Sequence, residues 1–321
     1  MTRSELSIVI PFFNEDHVLP LLRERLENLQ NRPSNWELLF VSDGSTDASS
    51  GFIEAWASKD PSVRLIVLTR NFGHQNAVSA GLCFASGDCV GIMDADLQDE
   101  PEILLDMYRA LRSDNVDIVY AVRTARHEAK LKRFFYFLFY RLYVYLADTP
   151  VQADSGDFCV MTRRAVRVLL TLPEKLRFVR GLRAWTGLPS KPFPISRPAR
   201  AAGRPQYSLP KLTRLAFSGL TSFSTRPLRL GFICGTLLCL GAVIGALIYL
   251  GIALFTDIHL AAPGFSTLVI ILLFFNGLIF LYLGVIGEYI GQMFMEVKAR
   301  PSFIVERTIN IETTQRSDER D

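Results

Sequence analysis

Asp94 and Asp96 stand two residues apart at the end of a short apolar run, Cys89-Val90-Gly91-Ile92-Met93, that reads as a buried strand. On an extended backbone, residues two apart point the same way, so both carboxylates face one side. They repel each other unless a cation lies between them. Oxygen-only pairs of this kind suit Mg²⁺ or Mn²⁺, ions that commonly hold substrate phosphates as well. A plainer reading makes the acidic stretch a solvated turn ahead of a helix. Asp99 or Glu100 before Pro101 would then serve as N-cap and first-turn residues. That accounts for Asp99 and Glu100 better than for Asp94 and Asp96.

Positioning such a pair requires a scaffold, and the first 120 residues supply one by alternating two periods. Leu6–Ile10, Trp36–Val41, Val63–Leu68, Cys89–Met93 and Asp117–Tyr120 read as strands. The stretches Asp16–Leu29, Thr46–Ser58, Gln75–Ala85 and Pro101–Leu111 read as the helices between them. This alternation predicts an α/β fold with a mostly parallel, doubly wound sheet. Ligands of such sheets bind outside the C-terminal strand ends. The polar residues sit there: Asn14-Glu15 after strand one, Asp43-Gly44-Ser45-Thr46-Asp47 after strand two, Arg70-Asn71 and His74 after strand three, Asp94 and Asp96 after strand four. Each alone could be turn or cap chemistry; four together are harder to read as punctuation.

The chain has 321 residues, enough for a full α/β domain plus an appendage, and a net charge of +3, too small to imply nucleic acid. No charged residue occurs from Leu230 to Thr256 or from Leu260 to Gly287. Each run exceeds the roughly 20 apolar residues that span a bilayer core, which predicts two transmembrane helices. Arg226 and Arg229 precede the first span, and Lys298, Arg300 and Arg307 follow the second. The loop near Asp257 has no Lys or Arg, so both termini are expected in the cytoplasm. The first apolar run, Leu6–Phe13, is too short for a signal peptide. Five cysteines without a CxxC pair suit reduced structural thiols.

Arg123, Arg126, Lys130, Lys132 and Arg133 lead into an aromatic run, Phe134 to Tyr145. Its density of rings beside a basic flank predicts a helix lying in the membrane interface, at about residues 131–147. The expected organisation is a catalytic domain over 1–208, a juxtamembrane amphipathic segment over 209–229, spans at 230–256 and 260–290, and a tail over 291–321 that frays after Arg307. Glycines four positions apart, as in Gly231-x-x-x-Gly235, Gly241-x-x-x-Gly245 and Gly287-x-x-x-Gly291, allow close helix contact and suggest a homo-oligomer. Asn276 and Glu288 are the polar exceptions in the second span.

The ordered set Ile8–Glu15, Val41–Asp47, Arg70–Gln75 and Asp94–Asp99 resembles the inverting family 2 glycosyltransferases of the GT-A (Rossmann-like) fold, within them the polyprenyl-phosphate sugar transferases. Gly287-Glu288-Tyr289-Ile290-Gly291 and Ala299-Arg300-Pro301 extend the likeness to about Glu306. The resemblance implies that Pro11, Asn14, Glu15, Asp43, Asp94, Ala95 and Asp96 bind the nucleotide-sugar, with Asp43 near uracil and Glu15 near ribose. It makes Asp96 the direct ligand of Mg²⁺ or Mn²⁺, with Asp94 beside it. Asp157 matches the carboxylate usually proposed as base, and Arg177–Trp185 the acceptor-side segment. The Gln-x-x-Arg-Trp signature of processive synthases is absent, which argues against polysaccharide synthesis.

The implied reaction transfers a hexose, glucose on resemblance, from a UDP-sugar to undecaprenyl or another polyprenyl phosphate at the cytoplasmic face. Mannose from GDP-mannose, N-acetylglucosamine or an aminoarabinose are alternative cargoes. A non-catalytic partner of a flippase, binding lipid or nucleotide-sugar, is the alternative outside enzymes. Because the acceptor phosphate has a second pKa of about 6, it is already largely ionised, and Asp157 is expected to position it more than to deprotonate it. Arg123, Arg126, Lys130, Lys132, Arg133, Arg200, Arg204 and Lys211 are candidates for holding the acceptor phosphate or the membrane surface.

Overall fold

The computed structural model of the chain describes residues 4–123, 155–175, 177–195 and 265–311, with scattered positions between 231 and 247. The chain divides into two units, one built from 1–137, 150–206 and 300–321, the other from 138–149 and 207–299.

In the first unit, β1 (Leu6–Phe12), α1 (Leu19–Glu27), β2 (Trp36–Ser42), α2 (Ser49–Ala57), β3 (Val63–Leu68), α3 (His74–Phe84), β4 (Cys89–Ile92) and α4 (Pro101–Ser113) alternate as the sequence periods predict. Then follow β5 (Ile118–Arg123), β6 (Ser155–Thr162), α5 (Arg163–Thr171), α6 (Val179–Trp185) and β7 (Ser190–Ile195). A last strand, β8 (Val305–Ile309), joins from near the end of the chain. The eight strands form one sheet in the order β7-β5-β6-β4-β1-β2-β3-β8.

The four strands β4-β1-β2-β3 run parallel. Their apolar runs are continuous because helices cover both faces: every residue of β1 and β2 is buried. Phe40 of β2 packs its ring 6.4 Å from Phe12 and 5.5 Å from Trp56. Each fully buried Leu, Ile or Phe contributes roughly 1.5–3 kcal/mol relative to exposure. Helix α3 lies close over β1, and a Cβ on Gly81 would strike the Val9 side chain.

The sheet is less parallel than a doubly wound reading implies. β6 enters antiparallel between β4 and β5, and β8 pairs antiparallel with the outer edge of β3. β7 carries Pro192 and Pro194 and sits at the other edge, where a missing ladder donor is tolerated. The tail does not fray at Arg307. Arg307 pairs with Glu54 at 3.0 Å, and Asn310, at φ 58°, donates through Nδ2 to the carbonyls of Ala57 (2.6 Å) and Val63 (2.9 Å). Those bonds fasten the strand that covers the β3 edge.

At the N-terminal edge of the sheet, the buried Glu37 carboxylate is fully partnered. It accepts from Ser7 Oγ, from Ser86 N (2.6 Å) and Ser86 Oγ (2.7 Å), and pairs with Arg64 at 2.5 Å. A buried carboxylate costs several kcal/mol unless so compensated, and this one is a structural clamp remote from the opposite, C-terminal strand ends.

In the second unit, α7 (Phe265–Val297) runs for 33 residues. Among the described residues it is the one helix long and apolar enough to cross a membrane, over Phe275–Val297 with mean hydropathy 1.5. It begins five residues after the expected start of the second span and continues beyond 290. Leu268, Ile271, Leu272, Phe280 and Leu283 are all exposed on it. Asn276 satisfies its polar head within the helix, donating through Nδ2 to the Leu272 carbonyl at 2.8 Å. The first expected span lies largely outside the described residues; the described positions from Gly231 to Leu247 are helical. A Cβ on Gly231 would strike the Tyr282 ring, so this glycine serves a contact within the chain. The interfacial helix at 131–147 and the segment at 209–229 also lie outside the described residues.

Candidate functional site

The strand order reverses at β1, with β2 and β3 on one side and β4 on the other. The crevice at such a switch point lies beyond the C-terminal ends of β1 and β4. Asn14 and Glu15 leave β1 there, Asp43 follows β2, and Asp94 to Asp96 follow β4.

Two of these loops are sewn together. Thr46 N donates to Asn14 Oδ1 at 2.8 Å, Asn14 N to Ser45 Oγ at 3.1 Å, and Glu15 N to Ser49 Oγ at 2.8 Å. Asn14 takes a left-handed φ of 55° to do this, a conformation that Asn tolerates through local hydrogen bonding. Gly44 in the facing loop has φ 68°, and a Cβ there would strike the Arg70 backbone, so both conformation and space demand glycine. The Asn14 side chain therefore holds the loop pair in shape.

Asp43 is buried, and both of its oxygens are engaged. Oδ1 accepts from Phe72 N at 2.7 Å and Oδ2 from Gly73 N at 2.9 Å. It thus anchors the turn into α3, where a negative charge also suits the helix dipole. Each oxygen retains a second lone pair for a ligand. Burial pushes the Asp43 carboxyl up, against these two N–H groups and the cations His74 and Arg70.

The expected carboxylate pair is present, and a third joins it through the antiparallel strand. Ile92 of β4 pairs with Cys159 of β6. Extending that register by two residues sets Asp157 opposite Asp94. His74, the first residue of α3, stands between them: its Nε2 is 3.6 Å from Asp94 Oδ1 and 3.7 Å from Asp157 Oδ2. Burial alone lowers the His74 pKa, but the Asp157 carboxylate and the charges of Asp94 and Asp43 override it and raise the imidazole above its ordinary value. A protonated His at a helix N-terminus is otherwise unfavourable, and the three carboxylates oppose that tendency. Burial also opposes ionisation of Asp157, yet His74, the Arg180 charge and the Gln75 amide keep its carboxyl below the usual range.

Asp94 goes the other way. Removal from water pushes its carboxyl up to about 6, His74 opposes this, and the negative charges of Asp99, Asp96 and Asp157 reinforce it. Burial likewise raises Glu15, with Asp96, Asp47 and Asp16 adding to the effect. The cluster is short of positive charge. Asp99 does not cap α4; it is buried and its Oδ2 accepts from Asp94 N at 3.2 Å. Glu100 holds the N-cap position without a side-chain cap bond and pairs with Arg25 at 3.4 Å. Asp96 Oδ1 accepts from Gln98 N at 3.1 Å across Leu97, whose φ of 60° is unusual for a bulky residue. Strained backbone of this kind gathers at functional turns.

No group of three His, Cys, Asp or Glu side chains among the described residues forms a metal cage. The donor set nonetheless fits Mg²⁺ or Mn²⁺, since such ions are held by one or two carboxylates and complete their shell with substrate phosphates and water. The negative charges of Asp96, Asp99 and Asp157 around Asp94 suit a divalent cation in the same way.

Of the other expected residues, Pro11 is buried at the end of β1 and Ala95 is buried between the two aspartates. Arg123 ends β5, and its side chain is outside the described residues, as are Arg126, Lys130, Lys132, Arg133, Arg200, Arg204 and Lys211. In the Arg177–Trp185 stretch, Arg183 turns inward over the Tyr120 ring at 4.9 Å, whereas Arg180 stacks on Phe178 at 4.6 Å. Sequence reasoning gave His74, Gln75 and Arg180 no individual role, although the first two lie in the Arg70–Gln75 motif and Arg180 in the acceptor-side segment. The signal for the first two was their place at the start of a helix directly after a strand.

The glycosyl transferase family 2 model matches residues 7–170. An uncharacterized glycosyltransferase of Bacillus subtilis (strain 168) is 40% identical over 310 residues, covering 96% of this chain and 95% of that protein. The SfII prophage-derived bactoprenol glucosyl transferase of Shigella flexneri is 34% identical over 306 residues, covering 95% of this chain and 98% of its own length. Among solved structures, a mannosyltransferase from Pyrobaculum calidifontis in complex with GDP-Man and Mn²⁺ is similar with a TM-score of 0.43 and 19% identity, over 79% of this chain and 81% of that one.

Proposed function

Because the chain belongs to glycosyl transferase family 2, we propose that it is a membrane-bound inverting enzyme that moves glucose from a UDP-sugar to a polyprenyl phosphate. The observation that carries this reading is the cluster of Asp94, Asp96, Asp157 and His74 at the switch point of the sheet. Its excess of negative charge suits a metal diphosphate rather than a neutral ligand. The full-length likeness to a bactoprenol glucosyl transferase supports the glucose and polyprenyl assignments.

Mg²⁺ or Mn²⁺, held by Asp96 with Asp94, would neutralise the charge that develops on the departing diphosphate. The protein's own groups do the rest. The joined loops at Asn14 and Thr46, with Asp43 anchoring the turn at Phe72 and Gly73, form a rigid wall for the nucleotide. A preformed wall of this kind lowers the ordering cost of binding. His74 and Arg180 set positive charge beside Asp157, where an anionic acceptor has to approach an anionic donor. The acceptor phosphate is already ionised, so Asp157 orients it and keeps His74 charged.

The pairing within the sheet supports a two-span reading of the membrane topology. β3 and β8 pair within it although α7 lies between them in sequence. A chain that leaves a folded sheet and returns to it crosses a membrane an even number of times. A crossing by α7 would require a second, and the charge-free run at 230–256 is the proposed one. The absence of Lys and Arg from the loop between the runs supports a cytoplasmic catalytic domain. Single cysteines test this: Ile258→Cys should react with a membrane-impermeant maleimide in intact cells, and Thr313→Cys only after permeabilisation. Equal labelling of both in intact cells would refute the two-span topology.

The direct test of function is incubation of the purified protein with polyprenyl phosphate and a panel of labelled nucleotide sugars, followed by lipid extraction. Label from UDP-glucose should enter the lipid in preference to that from GDP-mannose or UDP-N-acetylglucosamine. Label from another sugar would keep the reaction and change the cargo. A folded protein inert with every donor would instead favour a binding partner of a flippase.

A further inference from the structure

We infer that Gln75 is a positioning residue that ties the Asp157 carboxylate to the helix bearing Arg180, so that the reactive face of Asp157 and the acceptor-side cation are set together. The inference rests on the transfer reaction proposed above. Gln75 Nε2 donates to Asp157 Oδ2 at 2.7 Å, and Gln75 Oε1 accepts from Val179 N at 2.8 Å. The two partners are 82 and 104 residues away in sequence, on β6 and at the start of α6. Val179 N belongs to the first turn of its helix, where N–H groups have no intrahelical acceptor. The Gln75 amide therefore satisfies an orphan donor at one end and a buried carboxylate at the other.

The bridge leaves Asp157 asymmetric. Oδ2 faces Gln75 and His74, whereas Oδ1 is buried without a hydrogen-bond partner among the described residues. An unpartnered buried carboxylate oxygen is costly, which makes Oδ1 the oxygen left for a ligand. Partial rotation of the carboxylate would turn its plane away from both Gln75 and the ligand side; the Gln75 bond restrains it. Only a side chain with both a donor and an acceptor at its tip can hold both partners. Glutamate would keep the Val179 bond but set a second carboxylate against Asp157. Leucine would remove both bonds while filling similar space.

The test compares Gln75→Leu and Gln75→Glu with the wild type as full-length protein in detergent or lipid nanodiscs. Loss of a buried hydrogen bond to a charged group predicts a kcat about 30-fold lower for Gln75→Leu, with the donor KM within about twofold of wild type. For Gln75→Glu, the ratio of its rate to the wild-type rate should rise as pH falls, because a protonated glutamate regains the donor. A purely structural residue would not produce that recovery. A Gln75→Leu kcat within about twofold of wild type, or a Gln75→Glu ratio independent of pH, overturns the inference. Amide exchange at Val179 decides the bridge independently of turnover: faster exchange in Gln75→Leu supports it, and unchanged exchange overturns it. A wild type inert with every donor would defeat the proposed function and leave that exchange measurement to judge Gln75.

Discussion

Asp157→Asn is expected to lower kcat by about 100-fold without abolishing transfer, and to leave donor binding nearly intact. Asparagine keeps an oxygen that can accept from Gln75, so the side chain stays in place. What it loses is the charge. Burial opposes ionisation of Asp157, but His74, Arg180 and Gln75 lower its pKa, and it in turn is among the groups that raise the His74 pKa. Removing that charge should lower the His74 pKa, and an NMR titration of the imidazole should report the downward shift. A general base would behave differently, because the wild-type rate would rise with pH along a carboxylate limb and Asp157→Asn would flatten it. Background activity in Asp157→Asn, intact binding of both substrates and such a limb together would show that Asp157 removes a proton.

This reciprocal charge pair was only half legible in the sequence. The parallel strands β1 to β4 announced themselves because burial on both faces makes them continuous apolar runs. Their loops could then be assigned to one end of the sheet, which brought Glu15, Asp43, Asp94 and Asp96 together. β6 gave no such signal: it opens with Ser155, Gly156 and Asp157 and pairs antiparallel with β4, a relation that spacing along the chain does not reveal. β7 and β8 lie at sheet edges, where prolines and charges are tolerated and the alternation is weak. His74 and Gln75 were visible as residues but not as partners, since Asp157 and Val179 reach them only through tertiary packing. Asp43 and Asn14 illustrate the converse. Both follow strand ends, as their sequence context predicts, yet their first partners are backbone N–H groups that no motif displays.

The largest single loss is expected from Asp96→Ala, about 1,000-fold in transfer, because the substitution removes the expected direct contact to the ion that neutralises the leaving diphosphate. Its effect on stability has a distinctive pH dependence. Asp94 has a carboxyl raised from 3.8 to about 6 in the folded protein. The folded state therefore binds more protons than the unfolded state between those values, and metal-free stability falls as pH rises through that window. His74, raised above 6.5, contributes stability that is complete below 6.5 and is lost as pH rises through its folded value. Both terms weaken the ion-free site toward neutral pH. A divalent cation with UDP supplies the missing charge, so the rise in Tm on adding Mn²⁺ and UDP should be larger above about pH 6 than at about pH 5. Asp96→Ala should lose most of that rise at both pH values while retaining a Tm close to wild type without ligand, since Asp96 is only partly buried and accepts a hydrogen bond from the Gln98 amide two residues away. A ligand-induced rise equal at both pH values, or preserved in Asp96→Ala, would mean that the ion is not held by this carboxylate pair.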